Sequence, residues 1–173
     1  HVDYSNIFNM IKERYVKIKN ELEIDFDIEN EFDILERNLN QSRDFLVSRG
    51  EYLCAKLMSA YLGFKFVDSK DLIIFDYDGK INNENTEKAI QANINLDERI
   101  VVPGFYGAYP NGDIHLLSRG GSDITGSLLA KALNAQMYEN WTDVSGILMA
   151  NPKIINNPKR INEITYDELR ELA

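Results

Sequence analysis

Ile114-His115-Leu116-Leu117, Ser118-Arg119-Gly120-Gly121-Ser122-Asp123, then Ile124 to Ala135: this stretch decides the fold. The first four residues form a short apolar run of β type, and Thr125 to Asn134 carry a helical pattern. Two adjacent glycines separate them and let the backbone come close to a bound group. The spacing therefore predicts strand, turn and helix, with Ser122 or Asp123 as the helix N-cap. A helix start presents unpaired N–H groups and a partial positive charge, which suits an anion. Arg119 adds a guanidinium fork that can grip a carboxylate or phosphate, and Asp123 adds an acid. An ordinary corner with a solvated arginine has the same composition, so this stretch alone leaves both open.

Working outward, the bulk numbers narrow the classes. The chain has 173 residues, of which 44% are hydrophobic and 27% charged. One soluble domain accounts for that. No run approaches the about 18 apolar residues of a membrane span. His1-Val2-Asp3-Tyr4 has neither the basic region nor the apolar core of a signal peptide. Cys54 is the only cysteine, which excludes an internal disulfide and fits a reducing, cytoplasmic location. His1 and His115 lie too far apart for a zinc spacing, so no metal-ligating set of protein residues is expected. The net charge of −9 disfavours nucleic acid and acidic membrane surfaces as partners.

In chain order, Ile7, Phe8, Ile11, Tyr15 and Ile18 give residues 3–22 one apolar helical face. Glu21 to Glu36 is dense in acids and reads as a solvated face or loop, with Phe26, Ile28, Phe32 and Ile34 for packing. Residues 41–62 predict a helical block interrupted at Ser48-Arg49-Gly50-Glu51, which sets Glu51 at a helix start. Phe64–Val67, Leu72–Phe75 and Ile100–Val102 are strand candidates, and residues 84–92 a helix. Tyr109-Pro110-Asn111-Gly112-Asp113 is a hairpin turn. Met137–Trp141 is a further strand candidate, and Thr165 with Glu168 predicts a capped last helix.

Strands alternating with helices predict an α/β sandwich, a mainly parallel central sheet with helices on both faces. Ligands of such sheets bind beyond the carboxyl ends of strands. Gly104–Phe105, Ser118–Asp123 and Thr142–Asp143 all fall at predicted strand ends. The sequence contains no G-x-x-x-x-G-K-[ST], no G-x-G-x-x-G and no G-x-S-x-G, and Cys54 lies inside an apolar stripe. What remains is anion handling without an obvious nucleophile, a profile suited to phosphoryl transfer, where positioning and charge neutralisation dominate.

Three segments then act together. Gly104-Phe105-Tyr106-Gly107, Leu117 to Asp123, and Trp141-Thr142-Asp143-Val144-Ser145-Gly146-Ile147 resemble, in order and spacing, consecutive motifs of the aspartate kinases in the amino-acid kinase superfamily. Ser48-Arg49-Gly50-Glu51 upstream and Ile161 to Glu168 downstream resemble the same family. The resemblance runs from about Phe45 to the C-terminus. It implies a three-layer sandwich of the amino-acid kinase type and ATP-dependent phosphorylation of the side-chain carboxylate of L-aspartate. It implies that Arg119 grips a substrate carboxylate, that Glu51 binds the α-ammonium, and that Phe105 walls the pocket. Gly120, Gly121 and Ser122 would offer amides and a hydroxyl, and Asp123 would organise the reacting centre. Thr142, Asp143, Leu148 and Lys153 would face the ATP, whose phosphates Mg²⁺ would bridge. A homo-oligomeric full-length protein is implied as well.

The chain departs from the family pattern in places. Leu148 stands where a tyrosine is usual, Lys153 where an arginine is usual, and Asn151-Pro152 replaces Asp-Pro. Leu148 loses an aromatic contact to adenine, and Lys153 keeps charge without the fork. Altered nucleotide binding is the expectation. The K-F-G-G-[ST] strand, whose lysine neutralises the transferring phosphate, does not occur in these residues. The chain is therefore expected to be part of a kinase catalytic domain, without its lysine-bearing strand, its last kinase segment and its ACT regulatory domains. Alone it is expected to be inactive. Another amino-acid or carbamate kinase of the superfamily, or a kinase-like domain that binds an effector without turnover, are the alternatives.

Overall fold

The computed structural model describes residues 4–118, 120–141, 146, 148–151 and 153–165. It forms two compact units, His1–Tyr138 and Glu139–Ala173.

The first unit begins with three helices: α1 (Ser5–Glu21), α2 (Ile28–Arg37) and α3 (Arg43–Leu62). Asp27 caps α2 by accepting from the Asn30 amide at 3.0 Å, and Ser42 caps α3 by accepting from Phe45 at 3.0 Å. Ile28, Phe32 and Leu35 recur on one face of α2 and are buried. With Leu53 of α3 they form a core, against which Phe8, Tyr15, Phe45 and Tyr52 pack. Phe32 meets Phe8 and Tyr15 edge-on.

The acid-rich segment is thus partly helical rather than a loop. Its carboxylates are held by lysines: Asp33 by Lys12, Glu29 by Lys19, Glu31 by Lys56. The interruption expected at Ser48–Glu51 is absent, because α3 runs unbroken over Arg43–Leu62 and Gly63 caps it with φ +66°. Gly50 in a helix interior weakens it without ending it, and the flanking packing carries the helix through. Glu51 therefore sits in mid-helix.

Two short strands, β1 (Lys65–Phe66) and β2 (Ile100–Val101), pair in parallel, with Phe66 opposite Val101. Helix α4 (Asn83–Asn93), capped by Asn82, lies between them in sequence. Strands β3 (Tyr106–Ala108) and β4 (Ile114–Leu116) form an antiparallel hairpin with Tyr106 opposite Leu116, closed by the expected turn over 109–113. Leu72–Phe75 is held by single bridges instead of a full ladder, Ile74 to Ala108 and Phe75 to Ile81. Helix α5 (Gly121–Ala132) follows β4.

Alternation along the first strand separates the layers. Phe66 points at Tyr52 of α3, ring centroids 5.4 Å apart, whereas the next residue, Val67, packs into a second core. That core joins Leu72, Ile73 and Phe75 to Ile90 and Ile94 near α4 and Ala132 of α5. Helices therefore cover opposite faces of the strands, the α/β arrangement expected. Met137–Trp141 takes no strand conformation, and the helix expected after Thr165 lies outside the described residues.

In the second unit, Leu148 pairs antiparallel with Arg160. The Asn151 carbonyl accepts from Ile154 at 2.9 Å and Ile155 at 3.0 Å, making a single turn.

Candidate substrate cleft

The corner after β4 is one side of a cleft of about 500 Å³ lined by Glu51, Phe105, Leu117, Ser118, Gly120, Gly121, Ser122 and Asp123. Residues distant in sequence thus meet: α3 brings Glu51, the loop before β3 brings Phe105, and the turn into α5 brings the rest.

Helix α5 starts earlier than the sequence pattern indicates. Gly120 is its N-cap at φ +78°, in the left-handed region where glycine is favoured, so Ser122 and Asp123 lie inside the first turn. Having no side chain, Gly120 makes no cap bond to the following amides, and the Asp123 carboxylate sits at the positive end of the helix. Ser122 and Asp123 are exposed to the cleft, and Gly121 is buried.

Close packing explains why glycines stand here. A Cβ on Gly121 would come within 2.7 Å of the Leu117 Cβ and 2.9 Å of the Phe105 Cβ. A Cβ on Gly104 would lie 2.7 Å from the Ser122 hydroxyl. The two walls touch through backbone that tolerates no added methyl. Phe105 holds an unusual φ of +62°. Its carbonyl accepts from Leu117 at 2.8 Å, and its N–H donates to the Thr125 hydroxyl at 3.1 Å.

Behind the cleft, α3 is fastened on two sides. Asp44, in its first turn, accepts from the Leu116 amide at 3.3 Å and approaches His115 Nδ1 at 3.2 Å. Tyr15 of α1 donates to the Gly50 carbonyl at 3.0 Å, beside Glu51. Burial, then the Cys54 and Glu51 charges, raise the Tyr15 phenol above its ordinary value, so it remains a donor. The Arg49 guanidinium lies over the rings of Phe45 (4.5 Å), Tyr52 (4.3 Å) and Tyr106 (5.5 Å). Tyr106 is fully buried and donates to Asp68 at 2.7 Å. Burial, followed by the Asp68 charge, pushes that phenol far above the tyrosine range.

Of the sequence-derived site residues, Glu51, Phe105, Gly120, Gly121, Ser122 and Asp123 share this cleft. Arg119, Thr142 and Asp143 lie outside the described residues. Within the second unit, Leu148 is half-buried at its bridge to Arg160, and Lys153 is exposed with its amide donating to Asn151 Oδ1 at 2.9 Å. Sequence reading missed Thr125, Ser69 and Asp68, which hold the Phe105 loop from positions remote in the chain, Asp68 through the Tyr106 phenol. No local spacing signals such bonds.

The family model described as the amino acid kinase family matches residues 6–173, and the chain belongs to that family, with its α/β fold. Among curated relatives, Aspartokinase 3 of Bacillus subtilis (strain 168) is 39% identical over 179 residues, covering 94% of this chain and 39% of the relative. The Pseudomonas aeruginosa aspartokinase is 32% identical over 153 residues, covering 81% of this chain and 36% of its own length. Among solved structures, the aspartate kinase of Clostridium acetobutylicum superposes with a TM-score of 0.88 at 44% identity, over 96% of this chain and 39% of that one. E. coli aspartokinase III in complex with aspartate and ADP (R-state) gives 0.76 at 25% identity, over 99% of this chain and 47% of that one. The chain spans about two fifths of the length of the curated relatives it matches. Among the described residues, no helix is long and apolar enough to cross a membrane.

Proposed function

We propose that this chain carries the aspartate side of an aspartate kinase site, which transfers the γ-phosphoryl group of ATP to the side-chain carboxylate of L-aspartate. One observation carries it. A single cleft gathers a carboxylate (Glu51), an aromatic wall (Phe105) and a glycine-opened helix start (Gly120–Asp123). That set suits a small zwitterion with a second carboxylate: Glu51 for the ammonium, the helix start and Arg119 for the carboxylates. The similarity to aspartokinases, and an E. coli relative solved with aspartate and ADP, supports the same substrate pair here.

Thr142, Asp143, Leu148 and Lys153 are proposed for the nucleotide side, and a homo-oligomer for the intact protein. The Asp123 carboxylate and the Ser122 hydroxyl are hard oxygen donors that fit Mg²⁺, an ion that takes most of its ligands from water and ATP phosphates. When bound, the ion would neutralise phosphate charge. The chain's own residues orient aspartate, and the amides at the start of α5 would hold the negative charge of its carboxylate and of the transferring phosphoryl oxygens.

The test is ADP formation by the intact protein with ATP, Mg²⁺ and either L-aspartate or L-glutamate. Aspartate-dependent release is expected, with Arg119→Ala lowering kcat/KM for aspartate by about a hundredfold, the cost of leaving a charged partner unpaired. ADP release indifferent to aspartate, or to Arg119→Ala, overturns the proposal.

A further inference from the structure

We propose that Thr125 is a positioning residue of this cleft, its hydroxyl locking the Phe105 wall to the start of α5; the inference rests on the aspartate kinase reading of the same cleft. Thr125 is 3% exposed and touches no cleft space itself. Its Oγ accepts from the Phe105 N–H at 3.1 Å and donates to the Gly121 carbonyl at 3.0 Å. One hydroxyl thus uses its proton and a lone pair to join both walls.

Phe105 needs such a tie. Its φ of +62° is one that an L side chain rarely keeps unless its surroundings hold it. The loop around it is fastened elsewhere too: the Ser69 hydroxyl donates to the Pro103 carbonyl, the Leu117 amide to the Phe105 carbonyl, and the Tyr106 phenol to Asp68. Of these ties, Thr125 is the one that comes from α5, whose first turn forms the opposite wall. It therefore sets the gap between the Phe105 ring and the amides over 120–123. A wider gap would loosen aspartate without touching ATP.

Valine matches threonine in shape but removes the bond and strands the Phe105 N–H, while serine keeps the hydroxyl. In the intact protein, Thr125→Val is expected to raise the KM for aspartate about tenfold and leave that for ATP within about twofold. Hydrogen exchange in a peptide covering 103–106 should quicken about tenfold, since the Phe105 amide loses the acceptor that holds it closed. Thr125→Ser should restore both. Should the valine variant fail to fold, Thr125→Ala carries the same comparison. A fall in kcat with the aspartate KM unchanged, or exchange unaltered in the variant, overturns the clamp. Wild-type protein without aspartate-dependent turnover would instead overturn the kinase reading, and the exchange result then decides the clamp alone.

Discussion

The cleft corner and the α1–α2–α3 layer are held together by opposite means. At the corner, contact is made by missing side chains: Gly104, Gly107 and Gly121 each stand where a Cβ would strike a neighbour at under 3 Å. In the helical layer, contact is made by large side chains, with Phe32 ringed by Phe8 and Tyr15, and by lysine–carboxylate pairs at its margin. Contact of glycine backbone with neighbouring backbone and Cβ atoms fixes positions closely and has little slack. Side-chain packing has slack, because rotamers can adjust. A site that must hold a small substrate in register gains from the first kind. A layer that supports one helix needs the second.

The sharpest way to break this contrast is a methyl at the tightest point. Gly107 lies in β3, buried, and an added Cβ would run into the Ile73 carbonyl oxygen and come within 2.7 Å of the Ile73 Cβ. The obstacle is buried backbone in the core cluster, not a movable side-chain end. Gly107→Ala is expected to destabilise by about 3 kcal/mol or to prevent folding, read as a shift in the denaturant midpoint. A midpoint within about 0.5 kcal/mol of the parent would show that the corner yields after all.

Next in size is the partly buried pair at the edge of the helical layer. Lys56 Nζ lies 2.5 Å from Glu31 Oε1, and Tyr52 donates to Glu31 Oε2 at 3.2 Å. Burial alone would lower the Lys56 pKa, but the hydrogen bonds to Glu31 and Tyr52 prevail and raise it. Tyr52 is also raised, first by burial. A raised folded pKa means stability that is complete below the unfolded value, about 10.4 for lysine, and lost as pH climbs through the folded one. Glu31→Gln should cost about 1 kcal/mol between pH 7 and 9, since the lysine loses a charged partner at a site only partly screened. The gap to the parent should narrow above roughly pH 10.5. Thermal or urea melts across that range check it; a gap constant to pH 11.5 would refute the assignment.

The same contrast explains what the sequence made legible. The corner over 114–135 was readable because its signals are local: an apolar run, a double glycine, a helical period. The hairpin turn over 109–113 was readable for the same reason, from its Pro-Asn-Gly chemistry. The six expected site residues that share the cleft came together in the reading through the family resemblance, since Glu51 and Asp123 are 72 positions apart and no periodicity links them. The N-cap was misplaced because Gly120 caps through its left-handed backbone, which leaves no side-chain signature, whereas Ser122 offers one it does not use for this purpose. The clamp at Thr125 was invisible because its partner is 20 residues away. Leu72–Phe75 looked like a strand because buried apolar runs and strands share a composition; its neighbours grant it only single bridges.

Gly50 gives the smallest effect and the opposite sign. It interrupts the helical pattern on paper, yet it sits inside α3, and an added Cβ meets nothing within 4 Å. Its backbone is already helical, so alanine would restrict the unfolded chain and add no strain to the folded one. Gly50→Ala should stabilise by about 0.5–1 kcal/mol. The Tyr15 hydroxyl bonds the Gly50 carbonyl, which the substitution leaves in place. Paired with Gly107→Ala, this makes one chemical change with two signs, decided by whether the space beside the glycine is backbone or solvent. Loss of stability at Gly50 would mean that α1 crosses α3 more tightly than the structure has it, and that the helical layer, like the cleft, is closed by backbone contact.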